Sequence, residues 1–383
     1  MKAAKPRILV FSPFYPPFVG GLCSHAEQWN QHLAQAGYQI TVFTPLTAAG
    51  GLMQDKTTLN LTVYRYPAFN LIPNYPVPQV WRPLFWQLLR QALSPHPHII
   101  VTRTRFFFTS LFGTIIARFY RIKHLHIEHG SDYVQFKIPL ANLLARLYDH
   151  TLGRFVLRKA NTVIANSLAS GRFVRRLTGI TNVQVIYRGL DNRTIQNTPA
   201  DPDIKKHHPD RVIITYLGRL ITGKGVADLL QAVSLLPPLP IHILIIGDGP
   251  QRPNLKSLTR KLNLNSIVTF TGEKSFPQAI AYLKSSDIFV HPSYAEGIPT
   301  AVIEAALCQT AIIATKVGGT PEIVTNQAAI FVKPHQPAQI ASALRKLIQN
   351  PALRRQLSQA AHAETNHKFT WKSSLQKYEN LFT

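Results

Sequence analysis

Acidic side chains are scarce in this sequence. Eighteen Asp and Glu stand against 42 Lys and Arg in 383 residues, a formal charge of +24, and no carboxylate-rich constellation for a metal ion is visible. Cysteine is nearly missing too. Cys23 and Cys308 alone exclude a disulfide framework and a cysteine zinc site, and a reducing cytoplasm is the expected compartment. The longest uncharged apolar run, Phe106 to Ala117 between Arg105 and Arg118, is well short of the ~20 residues that span a bilayer as a helix. Near the start "RILVF" follows basic residues, but Pro13, Pro16 and Pro17 interrupt any helical leader and no small-residue cleavage site follows. It reads as a first buried strand.

What is present is a globular composition, 45% hydrophobic, in a chain too long for one ordinary core and suited to two domains. The basic excess is uneven. Residues 1–190 carry 21 Lys and Arg against 5 Asp and Glu, and residues 191–383 carry 21 against 13. The first half therefore faces something anionic. Nucleic acid, an anionic membrane leaflet and a phosphorylated substrate are the candidates, with plain solubility as the competing explanation.

Two stretches share one local pattern, an apolar strand running into a glycine-bearing loop and then an amphipathic helix. They are "RILVFSPFYPPFVGGLCSHAEQWNQHLAQAGYQITVFTP" and "RVIITYLGRLITGKGVADLLQAVSLL". Later apolar runs, "IHILIIGDG", "IVTFTG", "DIFVHPS" and "TAIIATKVGG", are each followed by a helical pattern. Alternation of this kind predicts parallel sheets with helices on both faces, an α/β class of two doubly wound domains. Asp191 to Asp210 is polar with little apolar periodicity and reads as the linker. The expected domains are 1–195 and 196–383, with ligands in a cleft at the carboxyl ends of the strands.

The loops after strands carry the candidate chemistry. In "YAEGIPTAVIEAAL" Pro299 suits the first helical position, because it needs no amide donor there. Gly297 lets a ligand approach the backbone, and the amides near Ile298 form an anion site with the helix dipole. Glu296 in the loop and Glu304 within the helix suit hydrogen bonds from hydroxyls such as ribose and sugar diols. Spacing alone equally allows Glu304 to face solvent and Glu296 to cap the helix. In "LGRLITGKG" Arg219 and Lys224 flank a glycine-rich loop and can converge on a diphosphate leaving group; alone, they also fit a solvated loop. Gly20 and Gly21 stand between strand and helix, which a simple turn would explain as well. His129, in "LHIEHGSDY", ends a strand, and by itself fits a packed or hydrogen-bonded core histidine better than a ligand contact.

Taken in order, these pieces resemble glycosyltransferase family 4. The likeness runs through "YPPFVGG", "EHG", "VIYRGLD", "GRLITGKG", "LIIGDGP", "VTFTGE", "SDIFVHPSYAEGIPTAVIEAA", "VGGTPEIV" and "FTWKSSLQKY". It implies the GT-B fold of two facing Rossmann-like domains and sugar transfer with retention of configuration. By resemblance Glu296 contacts the donor sugar, Glu304 the nucleotide ribose, and Arg219 with Lys224 the diphosphate. His129 lies near the donor hexose, Gly20 and Gly21 close over the phosphates, and Glu322 matches a recurrent carboxylate. Lys274, in "TGEK", belongs to the loop beside the base. The resemblance makes 1–195 the acceptor-side domain and 196–383 the nucleotide-sugar domain, with the final helix, about 370–383, packing back on the first.

The chain departs from the family at Gln309 and Ala311, where Gly and Pro are usual, and at Tyr187 and Arg188, where Pro and Asn are common. Arg188 bears on closure or acceptor binding. The donor is expected to be a UDP-, GDP- or ADP-sugar, with no cofactor and no metal. "WRPLFWQLLRQAL", "RTRFFFTSLFG" and "FKIPLANLLARLYDHTLGRFVLRKA" mix basic and apolar residues and suit an anionic inner leaflet, although ordinary helices packed on the first sheet would read the same way. The expected acceptor is a lipid-linked or phosphorylated glycan. A nucleic-acid-binding protein is the competing class; no recognition-helix, zinc-finger or RNA-binding signature is present, so no nucleic-acid partner is expected. A nucleotide-sugar epimerase or a phosphorylase of related architecture is the other alternative.

Overall fold

The computed structural model describes residues 5–18, 20–46, 53–72, 75–134 and 139–382. It divides into two compact units. The first is Met1–Arg188 with Ser374–Thr383, and the second is Gly189–Ser373.

The first unit carries strands β1 (Arg7–Phe11), β2 (Gln39–Pro45), β3 (Gln54–Thr58), β4 (Leu61–Tyr66), β5 (Ala68–Ile72), β6 (Tyr75–Pro78), β7 (Ile99–Arg103), β8 (Lys123–Glu128), β9 (Thr162–Ala165) and β10 (Val183–Val185). Eight of them form one sheet in the order β10-β9-β8-β7-β1-β2-β4-β3, while β5 and β6 pair separately. Every pairing in the large sheet is parallel except the edge pair β3–β4. The final helix, Trp371–Phe382, ends on this unit. The rings of Tyr378 and Phe382 meet Trp29 at 5.3 and 6.4 Å, and Glu379 accepts from Tyr38 at 3.2 Å.

The second unit carries β11 (Val212–Leu217), β12 (Ile241–Ile246), β13 (Val268–Gly272), β14 (Ile288–His291), β15 (Ala311–Thr315) and β16 (Ala329–Val332). Its sheet runs β13-β12-β11-β14-β15-β16 with all pairings parallel. Strand β12, "IHILII", is buried at every position, as a central parallel strand covered on both faces must be. In chain order this is the 3-2-1-4-5-6 arrangement of doubly wound sheets, whose order reverses between β11 and β14. The first unit makes the same reversal between β1 and β7.

The polar stretch read as a linker is different in the structure. The units divide at Arg188 and Gly189, ahead of it, and the stretch folds into short helices Asn192–Asn197 and Pro202–His207 of the second unit. Asp191 and Asp201 cap them by accepting from Thr194 and Asp203 amides, and Ile195 and Ile204 are buried. One apolar anchor per helix is too sparse to show as a period.

Candidate active site

In the second unit the residues of interest lie where β11 and β14 end. After β11 the chain turns through Gly218 into a single helical turn, Thr222–Lys224, closed by Gly225 at φ +65. A side chain there would be strained and would also collide, since a Cβ would lie 2.0 Å from the Pro292 carbonyl oxygen. Glycine thus lets the Lys224 loop seat directly on the loop after β14. The Tyr294 amide and the Ser293 hydroxyl donate to the Gly223 carbonyl at 2.9 and 3.1 Å, and the Tyr294 hydroxyl donates to Asp228 at 3.1 Å.

That seating brings two side chains to one oxygen of a third. Glu296 Oε1 accepts from Lys224 Nζ at 2.5 Å and from His291 Nε2 at 2.9 Å. The Glu296 side chain is 10% exposed and that of Lys224 25%. Burial by itself would raise the Glu296 pKa, but the Lys224 ammonium and the His291 hydrogen bond outweigh it and hold the carboxyl well below the usual carboxylate range. Glu296 is therefore ionised at neutral pH. His291 was not singled out from sequence; its only signal was its place at the end of "DIFVH".

The other predicted residues of this unit are distributed around the pair. Helix Thr300–Leu307 carries Glu304, half-buried, and begins one residue later than expected: Pro299 is the N-cap, in extended conformation, and its carbonyl accepts from the Val302 amide at 3.2 Å. Proline's fixed φ serves either position, so composition does not separate them. Gly297 and the buried Ile298 link Glu296 to this helix, and the Gly297 carbonyl accepts from the Gly319 amide at 2.9 Å. This joins the Glu296 loop to the short helix Thr320–Ile323 that holds the half-buried Glu322. Arg219 is exposed, and its side chain makes no hydrogen bond or ion pair among the described residues. Lys274 stands apart, its ammonium 5.5 Å from the centre of the Tyr282 ring.

In the first unit Glu128, at the end of β8, organises the loop that bears His129. One Glu128 oxygen accepts from the amides of His129 and Gly130 at 2.9 and 2.7 Å; both oxygens face Arg105, which is clamped in turn by Asp149 at 2.9 and 3.0 Å. Arg103 and Arg105 are thus interior residues rather than part of a basic surface. They stabilise buried acceptors and rings, which corrects the reading of "RTRFFF" as membrane-facing.

The hydrogens on His129 follow from donor chemistry. Arg103 Nη1 lies 3.2 Å from His25 Nδ1, and a guanidinium only donates. His25 Nδ1 therefore accepts, His129 Nε2 at 3.3 Å carries the hydrogen facing it, and His129 Nδ1 accepts from the Thr104 hydroxyl at 3.3 Å. Burial, with the Arg103 charge second, pushes the His129 pKa down to about 3, so the ring is neutral. Gly21 opens helix Gly21–Gln35 and Gly20 precedes it. A Cβ at Gly21 would meet nothing within 4 Å, so this glycine relieves no clash among the described residues.

Among the described residues no group of three or more His, Cys, Asp or Glu side chains could hold a metal ion, and no helix is long and apolar enough to cross a membrane. Cys23 and Cys308 are free and buried, and burial pushes both thiols up to about 12.

Residues 197–364 match the family described as Glycosyl transferases group 1, and residues 19–193 that described as Glycosyltransferase Family 4. An uncharacterized glycosyltransferase of Methanocaldococcus jannaschii is 34% identical over 99% of this chain and 98% of its own length. The phosphatidylinositol N-acetylglucosaminyltransferase gpi3 subunit of Schizosaccharomyces pombe is 25% identical over 97% of this chain and 79% of its own. Among solved structures, Anabaena HepE in complex with UDP-glucose superposes with a TM-score of 0.77 at 20% identity, covering 98% of this chain and 99% of that one. The order of both sheets, the loops at their reversal points and this likeness along the whole chain lead to one assignment: the chain belongs to glycosyltransferase family 4 and has the GT-B fold.

Proposed function

We propose that this glycosyltransferase moves a hexosyl or N-acetylhexosaminyl group, with retention, from a UDP-, GDP- or ADP-sugar to a hydroxyl of a lipid-linked or phosphorylated glycan. The observation that carries the reading is the Lys224–Glu296–His291 cluster at the carboxyl ends of β11 and β14. An ammonium has three donor hydrogens; Glu296 takes one from Lys224, and the others suit two diphosphate oxygens. Arg219, exposed on the same loop, adds a second cation for the charge that develops as the leaving group departs. The amides around Ile298, at the start of helix Thr300–Leu307, add oriented dipoles. Glu296, held ionised, accepts from a donor-sugar hydroxyl and Glu304 from the ribose. Gly20, Gly21 and the neutral His129 serve the donor from the first unit, and Lys274 and Glu322 complete the donor-binding set.

In the transfer step the bond from the anomeric carbon to the diphosphate oxygen breaks. The acceptor oxygen bonds to that carbon on the same face, and its proton passes to the departing diphosphate. Arg219 and Lys224 balance the charge, so the reaction is expected to run without a divalent cation. A lipid-borne acceptor is supported by the fission-yeast relative, which is named for N-acetylglucosaminyl transfer to phosphatidylinositol, and by the basic excess of residues 1–190. Such an acceptor places the enzyme peripherally at a cytoplasmic leaflet. A thermal-shift panel of UDP-, GDP- and ADP-sugars identifies the donor. Acceptor-dependent release of nucleoside diphosphate, with sugar on the acceptor, then separates transfer from epimerisation; release without product overturns the reading.

A further inference from the structure

Helix Pro139–Tyr148 presents an apolar face that no element among the described residues covers. Leu140, Leu143, Leu144 and Leu147 are 64%, 63%, 56% and 58% exposed, and their spacing of three and four residues aligns them on one side of the helix. The opposite side is fixed to the first unit. Ala145 is buried, the Tyr148 ring packs on Phe106 and Phe108 at 5.2 and 5.8 Å, and the next residue, Asp149, holds Arg105. At Asp149 the chain widens into a π-turn, Asp149–Gly153, before helix Arg154–Lys159. The buried ion pair thus anchors the base of a helix whose leucines point away from it.

The surroundings are basic. Arg146 lies 5.7 Å from the centre of the Tyr133 ring, that ring packs edge-on against Phe173, and Arg176 lies 5.5 Å from the Phe173 ring. Asp132, the acid beside them, is 3.9 Å from Arg176. Of the 5 acids in residues 1–190, Glu128 and Asp149 are buried together with Arg103 and Arg105, so the basic excess of this half is still carried outward when the buried charges are set aside. Two copies meeting through this face would bring like charges together, whereas an anionic surface complements it.

We propose that helix Pro139–Tyr148 is an interfacial anchor. Its four leucines enter the acyl boundary of an anionic bilayer while Arg146 and Arg176 meet lipid phosphates. The 10 residues of the helix, nearly three turns and about 15 Å, lie along the surface and do not span it. The proposal deepens the lipid-acceptor reading and rests on it.

Flotation with vesicles of phosphatidylcholine alone, and of phosphatidylcholine with phosphatidylglycerol, tests it on the full chain. Wild type is expected to float with the anionic vesicles and to lose binding at high salt. Leu143→Ser with Leu147→Ser should lower partitioning at least tenfold with an unchanged melting temperature, because both side chains are already exposed. Arg146→Glu should weaken binding to anionic vesicles only. Unchanged flotation of the leucine variant overturns the anchor and leaves the lipid-acceptor reading standing. Loss of a wild-type dimer by sedimentation, with flotation intact, reassigns the face to self-association and overturns it too. Wild type that floats with no vesicle and glycosylates a water-soluble glycan defeats both readings.

Discussion

Replacing Lys224 by Met removes the ammonium and keeps most of the side chain's volume. Glu296 would then be left nearly buried, 10% exposed, with His291 at 2.9 Å. Breaking a fully buried ion pair costs about 3–5 kcal/mol, and leaving a buried polar group without its partner costs about 1–3 kcal/mol, more where it is charged and wholly unpaired. Lys224 is a quarter exposed and His291 remains, so the lower range applies, about 1–3 kcal/mol of stability. Turnover should fall at least tenfold, about 1.4 kcal/mol of transition-state stabilisation. Urea unfolding followed by circular dichroism gives the first number and steady-state kinetics the second. A cycle with Glu296→Gln isolates the pair. The double variant has no stranded charge and should be more stable than the sum of the two single losses predicts, by about 1 kcal/mol or more. Stability within about 0.5 kcal/mol of wild type, full turnover and an additive cycle would refute the reasoning.

Arg219→Ala should also lower turnover at least tenfold, yet leave the melting temperature unchanged because the side chain is exposed and makes no polar contact among the described residues; a wild-type rate removes it from the leaving-group site. Burial pushes His124 and His129 down to about 3 and His25 well below its usual value. The unfolded chain therefore binds more protons than the folded one between about pH 6.5 and pH 3. Stability should fall with falling pH across that window, by up to about 1.4 kcal/mol per pH unit for each histidine, and a melting temperature unchanged between pH 7.5 and pH 5 would contradict it. Gln309 ends helix Thr300–Leu307 at φ +56, so Gln309→Gly should raise stability by about 0.5–1 kcal/mol, the left-handed strain relieved less the added freedom of the unfolded chain. Thermal unfolding that shows a loss would refute that account.

Much of this was legible in the residues. The alternation of strands such as β12, "IHILII", with helical patterns announced parallel sheets, and loop positions after strands singled out Glu296 and Lys224 as candidates. Their mutual contact was not legible, because 72 residues separate them and the seating of the Gly223–Gly225 turn on the Pro292–Tyr294 loop, which brings them together, leaves no mark in the sequence. His291 looked like any residue ending a strand. Arg103 and Arg105 looked like surface charge because their partners, His25, Glu128 and Asp149, come from three distant segments. The leucines at 140, 143, 144 and 147 show the limit from the other side: their period predicts a helix with an apolar face but not what covers it. Gln309 is a departure from the family that the structure explains as a left-handed helix end, a position glycine fits without strain.

The central claim is retaining transfer that relies on Lys224 and Arg219. The most direct test supplies the sugar nucleotide that binds, together with a lipid extract as acceptor and with EDTA present, and follows the anomeric signal of the product by NMR. The account predicts one nucleoside diphosphate released per sugar attached, the donor's anomeric configuration kept in the product, and loss of both signals in the Lys224→Met variant. Inverted configuration, a requirement for a divalent cation, or an unimpaired variant would contradict it.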